Sequence, residues 1–419
     1  MSVHLDHLLS DNAKALKKSA IRELLKLTAK PEIISFAGGL PNPKTFPIED
    51  VKRISDEVLE SQGEKILQYS TTEGDHEFRE VLCGWLGEEG IMVKPENVQI
   101  TTASQQGLDL VSRVFLNPGD TCIVGLPTYL GFLQATNSVR AKPVGIPLDD
   151  QGIKTDIIED EIDRLISEQK KPKFIYVIPD FQNPAGVTIS LDRRKKLIEI
   201  AKKYEILIVE DSPYRKLRYS GKTLPTIYSL DDSGEHVITL FTFSKIFLPG
   251  FRLGWMIGSK DIIEKIVMAK QGMDLCTPIF NQTIAKEYIK QDLIKARIEK
   301  NIDMYSKRKD IMLESLEKYM PKIEGLTWTK PEGGLFLWVT LPEAMNADRM
   351  FYNAIEQNVA YVVGSAFFCN GKGQNTMRLN FSYPSEEQIR TGIQRLANVV
   401  ENDWKKIEQG NMNNTPLTP

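Results

Sequence analysis

The sequence predicts an α/β protein in which a mostly parallel sheet is wrapped by helices and accompanied by a smaller α+β domain. Three observations predict it. Short apolar runs alternate with helical patterns from about residue 98, a block of long helices follows, and the texture then changes to strands around one helix. At 419 residues the chain also exceeds the usual size of a single core, so two domains are expected.

Taken in order, SAIRELLKLTA (residues 19–29) places Ile21, Leu24, Leu25 and Leu27 behind a serine, the spacing of a short amphipathic helix. ISFAGGLPNPKTFP breaks it with two glycines and three prolines, which reads as an ordered loop. Beyond it, VQIT precedes SQQGLDLVSRVF, TCIVGL follows NPGD, KFIYVI precedes RRKKLIEIAKKY, and ILIVED and VITLF complete five strand candidates. Strands of that length spaced by helices belong to a parallel sheet covered on both faces. Residues 260–320 read as long helices, and the stretch from GLTWTKPEGGLFLWVTL to MRLNFSYP reads as strands around one helix. The expected division is an arm (1–50) joining the small domain, a large domain (51–310), a small domain (311–405) and a polar, mobile tail (406–419).

Composition narrows the function. Hydrophobic residues are 41% and charged residues 26%, with no apolar run of membrane-spanning length. A formal net charge of -3 offers no basic field for a nucleic-acid backbone, so a small molecule is the expected partner. Cys83, Cys122, Cys276 and Cys369 lie far apart, without zinc spacing or disulfide density, which fits a reducing cytoplasm. MSVHLDHLLSDNAK has neither the basic start nor the apolar stretch of an export signal. His4 and His7 lack a third ligand, and no metal site is expected.

Ligands of α/β sheets bind at the carboxyl ends of strands, and four exits carry unusual chemistry. TASQQG opens a helix whose free N–H groups can hold an anion, although Ser104 could be a plain N-cap. PDFQNPAG sets Asn183 before a proline, which is also an ordinary turn. DSPY follows ILIVE, and of Glu210 and Asp211 only one can face the site; the alternative is a helix cap by Asp211 or Ser212. TFSKIFLPGFRLGW brings Thr242 and Ser244 hydroxyls, the Arg252 fork and the Lys245 amine onto one loop. Together these supply an anion cradle, a carboxylate for a ring nitrogen, donors for a phenolic oxygen and an amine for an aldehyde, the needs of pyridoxal 5'-phosphate.

SKIFLPGFRLGW resembles the lysine signature of class I aminotransferases of the pyridoxal-phosphate fold type I, with the N-P and D-x-x-Y elements preceding it in the family's order. AGGLPNP, LQYSTTEG, SQQGLDL, NPGD and MRLNFS extend the likeness over roughly residues 20–400, most closely to the branch of 2-aminoadipate and kynurenine aminotransferases. Regulators that fuse this domain to a DNA-binding module look similar, but the free-standing enzyme is expected here. The resemblance implies a mostly parallel seven-stranded sheet and a cytoplasmic homodimer with shared sites. It implies that Lys245 joins the cofactor aldehyde and then moves the α-proton, that Asp211 keeps the ring nitrogen protonated, and that Asn183 and Tyr214 bond the ring oxygen. Tyr129 would stack on the ring. Ser104, Gln105, Thr242, Ser244 and Arg252 would bind the phosphate, joined by Tyr69 of the partner subunit. Arg378 would take the substrate α-carboxylate, Gly39 would line the substrate site beside Asn183, and Arg22 would meet an acidic substrate side chain. One departure is Ala103, where relatives often have glycine.

The activity so implied moves an amino group from an L-amino acid (2-aminoadipate, aromatic or aliphatic) to a 2-oxo acid, 2-oxoglutarate, by a ping-pong scheme. The alternatives are a lyase or synthase of the same fold and a non-catalytic sensor that binds the cofactor.

Overall fold

The structure, a computed structural model, describes residues 7–16 and 30–410. His4, Arg22 and the helix expected over residues 19–29 lie outside the described residues. After β1 (Ile34–Ser35) the chain builds one sheet from β2 (Val98–Thr101), β3 (Thr121–Leu126), β4 (Lys142–Asp149), β5 (Gly152–Ile153), β6 (Phe174–Val177), β7 (Leu207–Asp211), β8 (Val237–Thr242) and β9 (Gly254–Ile257). The five predicted strands are β2, β3, β6, β7 and β8. Their residues are buried on both faces almost throughout, as a sheet between helices requires.

The strand order is β2-β9-β8-β7-β6-β3-β4-β5, parallel from β8 through β4, with β9 antiparallel to both neighbours. The sheet therefore has eight strands rather than seven. The addition is β5, which turns back on β4 because Asp149 Oδ1 accepts from Gln151 N at 2.8 Å and Gly152 takes a φ of 91°. Parallel β3, β6, β7 and β8 end on one edge, so Leu126, Val177, Asp211 and Thr242 deliver the following loops to one place.

Three helices, Lys260–Asp274, Ile279–Lys290 and Leu293–Tyr319, fill the expected helical block. A second sheet then forms in the order β10 (Thr327–Trp328), β11 (Phe336–Thr340), β14 (Thr376–Asn380), β13 (Val362–Val363), all antiparallel, with the helix Ala347–Glu356 between β11 and β13 in sequence. β12 (Val359–Ala360) pairs in parallel with β1, which ties the N-terminal segment to this part of the molecule. The last helix, Glu386–Glu408, starts at a Ser385/Gln388 capping box and packs on Leu293–Tyr319. It runs into the stretch expected to be tail because Trp404 and Ile407 still pack against the core. Residues 411–419 lie outside the described part.

Candidate active site

Asp211 ends β7 and is buried. Alternation along the strand sends Glu210 to the opposite face, where it accepts from Ile227 N (3.0 Å), Tyr228 N (3.1 Å) and Thr239 Oγ1 (2.9 Å) and so holds the short helix Ile227–Leu230. No helix follows Asp211, so it is not a cap. Its Oδ2 accepts from the Tyr176 hydroxyl at 2.9 Å, while Oδ1 is buried without a hydrogen-bond partner. Burial pushes its pKa up to about 7. A carboxylate so placed, with one open oxygen and no cationic side chain bonded to it, fits a protonated ring nitrogen.

Tyr176 was not singled out in the sequence. It pairs with Val209, which puts it diagonally beside Asp211 on the same face of neighbouring parallel strands, a register that only the folded sheet sets. Phe132 stacks on it at 3.8 Å and fixes the phenol.

Lys245 follows β8 and is half-buried, its Nζ donating to the Gly39 carbonyl at 2.8 Å. Burial, then the positive fields of Arg378 and Arg252, push its pKa down to about 8, which leaves a sizeable neutral fraction able to act as a base. Thr242 Oγ1 donates to Ser244 Oγ (2.9 Å) and accepts from Ser244 N (3.1 Å), and Arg252 Nη1 donates to Ser244 Oγ at 3.4 Å. These groups form one patch of donors beside the amine. The helix Ala103–Phe115 opens with no side-chain cap, and Ser104 lies inside its first turn rather than capping it. The first N–H groups are thereby left for an anion. Ala103 has φ 60°, a left-handed conformation that glycine adopts more readily than alanine. Gly254 packs so closely that a Cβ there would lie 3.0 Å from Ala103 Cα, which keeps the turn against β9. Gln105 Nε2 donates to Gly131 O at 2.9 Å, and the Tyr129 hydroxyl lies 3.5 Å from Gln105 Oε1.

Asn183 is no bare turn. Its Nδ2 donates to the Tyr214 hydroxyl at 3.3 Å and its Oδ1 accepts from Arg378 Nη1 at 2.9 Å, so it joins the expected cofactor side to the expected substrate side. The phenols of Tyr129 and Tyr214 are both held up by burial and both feel the charges of Asp211 and Arg378. Arg378, in the middle of β14, is buried between the rings of Phe336 (4.1 Å) and Phe367 (5.2 Å) and donates through Nη2 to Ala37 O (3.1 Å) and Gly38 O (3.3 Å). No carboxylate pairs with it among the described residues, and its Nε has no partner. Burial pushes its pKa down to about 10, still a cation at neutral pH. Gly39 lies over the same ring: a Cβ there would meet Phe336 Cζ at 3.1 Å.

Phe336 and Phe367 were missed because buried aromatic residues in strands and loops read as ordinary core. Tyr69 is not brought into this cluster. It is 78% exposed, beside a surface groove lined by Leu59, Gln62, Lys65 and His76. Arg22 lies outside the described residues.

A family model described as aminotransferase class I and II matches residues 33–396. The chain belongs to this aminotransferase family. The aromatic-amino-acid aminotransferase 1 of Thermococcus litoralis is 48% identical to it over 398 residues, 95% of each chain. The crystal structure of a multiple substrate aminotransferase from Thermococcus profundus superposes with a TM-score of 0.92 at 48% identity, covering 96% of this chain and 100% of that one. That of the alpha-aminoadipate aminotransferase from Thermus thermophilus, complexed with N-(5'-phosphopyridoxyl)-L-leucine, gives 0.88 at 36% identity, covering 96% and 100%. The aminotransferase has the fold type I architecture and uses pyridoxal 5'-phosphate.

When bound, pyridoxal 5'-phosphate supplies an electrophilic aldehyde and a ring that accepts electrons from the α-carbon. The aminotransferase's own groups match those needs: an open buried carboxylate oxygen at Asp211, a lone amine at Lys245, and hydroxyls, Arg252 and a helix N-terminus for the phosphate.

Proposed function

We propose that this aminotransferase transfers the amino group of an L-amino acid (2-aminoadipate, aromatic or aliphatic) to 2-oxoglutarate by a ping-pong scheme. In that scheme the first oxo acid leaves before the second binds. The observation that carries the reading is Arg378: a buried guanidinium without a carboxylate partner, clamped by two rings and bonded to Asn183, is a receptor for the carboxylate that amino acids and 2-oxo acids share. The names of the relatives support the aromatic and aminoadipate donors.

In this reading Lys245 carries the α-proton, Asp211 pairs with the ring nitrogen, and Asn183 and Tyr214 bond the ring oxygen. Tyr129 covers the ring face, and Ser104, Gln105, Thr242, Ser244 and Arg252 hold the phosphate. Tyr69 of the partner subunit completes the cradle in a homodimer, which accounts for a tyrosine left 78% exposed in one protomer. Gly39 and Arg22 border the substrate side chain. Residues 1–50, 51–310 and 311–405 serve as arm, large domain and small domain, with the last helix carrying the small domain to Glu408. Four free thiols support a reducing, cytoplasmic setting, and no described helix is long and apolar enough to cross a membrane.

A donor panel with 2-oxoglutarate tests the proposal. Glutamate forms with phenylalanine, tyrosine, kynurenine or 2-aminoadipate as donor; ammonia release without need of an oxo acid would defeat it. Arg378→Lys raises KM for donor and acceptor about ten- to a hundredfold, because one ammonium replaces a bidentate fork, while the cofactor stays bound. Steady-state kinetics with a cofactor absorbance spectrum checks both halves of that statement.

A further inference from the structure

Loop 37–42 presents four consecutive carbonyls, each with a partner. Ala37 and Gly38 accept from Arg378 Nη2, Gly39 accepts from Lys245 Nζ, and Leu40 accepts from Ser382 Oγ at 2.8 Å. A segment with two glycines has little stiffness of its own, so something must set how deeply it lies over the guanidinium. The far end is fastened at Asn42, a buried residue. Its backbone N–H donates to the Tyr305 hydroxyl at 2.9 Å, and its Nδ2 donates to Ser382 O (3.3 Å) and Tyr383 O (3.0 Å).

Tyr305 is fully buried on the long helix Leu293–Tyr319. Asn301, one turn earlier, donates to Ile246 O at 3.4 Å, next to Lys245. Arg308, three residues on, donates to Ser382 O. Residues four and three apart share a helix face. One face of one helix therefore touches the segment after the amine, the carbonyl loop and the segment after β14. Ser382 is tied in turn to Asn380 at the end of β14, its Oγ accepting from Asn380 Nδ2 at 2.9 Å, two residues from Arg378.

We propose that Tyr305, through its hydroxyl at the Asn42 N–H, and Ser382, through its Oγ at the Leu40 carbonyl, are positioning residues that latch loop 37–42 and so fix the geometry in which Arg378 receives a substrate carboxylate. Neither touches substrate; both act through the loop. The inference rests on the reading of Arg378 as the carboxylate receptor. Without the Tyr305 hydroxyl the buried Asn42 N–H loses its acceptor and the loop its depth, while the ring, and hence the packing of the helix, remains.

The experiment uses the holoenzyme. Tyr305→Phe and Ser382→Ala are each compared with the unaltered protein in donor KM and kcat, in thermal midpoint, and in the affinity of 3-phenylpropionate read from the cofactor absorbance. The latch predicts a five- to tenfold weaker KM and 3-phenylpropionate affinity, on the order of one lost hydrogen bond, with kcat within about twofold and the cofactor spectrum unchanged. In an Arg378→Lys background the same substitutions add nothing further to the affinity loss. Unchanged affinities in a folded, cofactor-loaded variant overturn the proposal. So does a joint fall of kcat, cofactor content and thermal midpoint at constant KM, the mark of a merely structural tyrosine. If Tyr305→Phe does not fold, Ser382→Ala decides by the same readings. Failure of 2-oxoglutarate to serve as acceptor would defeat the proposed function alone, because 3-phenylpropionate binding needs no acceptor.

Discussion

Lys245→Ala lowers turnover by about four orders of magnitude or more and removes the absorbance of the covalently held cofactor. The size of the effect follows from the double use of one amine. In the proposed function it would hold the cofactor between cycles and, once released, would move the α-proton. Its surroundings are compatible with both tasks. Burial and two guanidiniums bring its pKa down to about 8, and the Gly39 carbonyl at 2.8 Å aims the nitrogen toward the substrate loop. An added small amine such as methylamine restores part of the rate in the alanine variant, since it supplies the proton acceptor but not its placement. Unchanged turnover in Lys245→Ala would remove the catalytic role.

Asp211→Asn lowers kcat/KM by about 10²- to 10⁴-fold, the kinetic equivalent of the few kcal/mol lost when a buried ion pair is left with one partner. In the proposed role the amide would keep the shape but could not favour a proton on the cofactor's ring nitrogen, so the ring would accept electrons less well. Glutamate at 211 retains the charge and recovers part of the rate; equal losses in both variants would point to packing rather than charge. The same carboxyl leaves a trace in the cofactor-free protein. Its folded pKa is about 7 against an ordinary 3.8, raised by burial. A carboxyl raised in this way contributes fully to folding only below its unfolded value, and the contribution fades as pH rises from about 4 through about 7. Thermal midpoints of the cofactor-free protein therefore fall across that interval, more steeply than those of the holoenzyme, and Asp211→Asn removes the part of the fall due to this group.

Much of the architecture was legible before folding. Ile123–Val124, Phe174–Val177 and Ile206–Val209 are continuous apolar runs because both faces of a parallel sheet are covered, and such runs announce themselves in any sequence. β5 was not legible. Two residues have no periodicity, and only Gly152 and the Asp149 turn bring them back onto β4. The exit residues were legible for a chemical reason: a lysine, an acid or an asparagine at the end of an apolar run must be paired, exposed or in use.

The sequence by itself determined five of the large sheet's strands through their local patterns, and its motifs, by resemblance, the family and the cofactor. Only the tertiary structure decided that Asp211 rather than Glu210 faces the site, because strand register sets which face each residue takes. It also decided that Tyr176 steadies that acid, that Phe336 and Phe367 enclose Arg378, and that Tyr305 reaches Asn42 from 263 positions away. Contacts of that range arise when separate elements pack, and no periodicity within one segment encodes them.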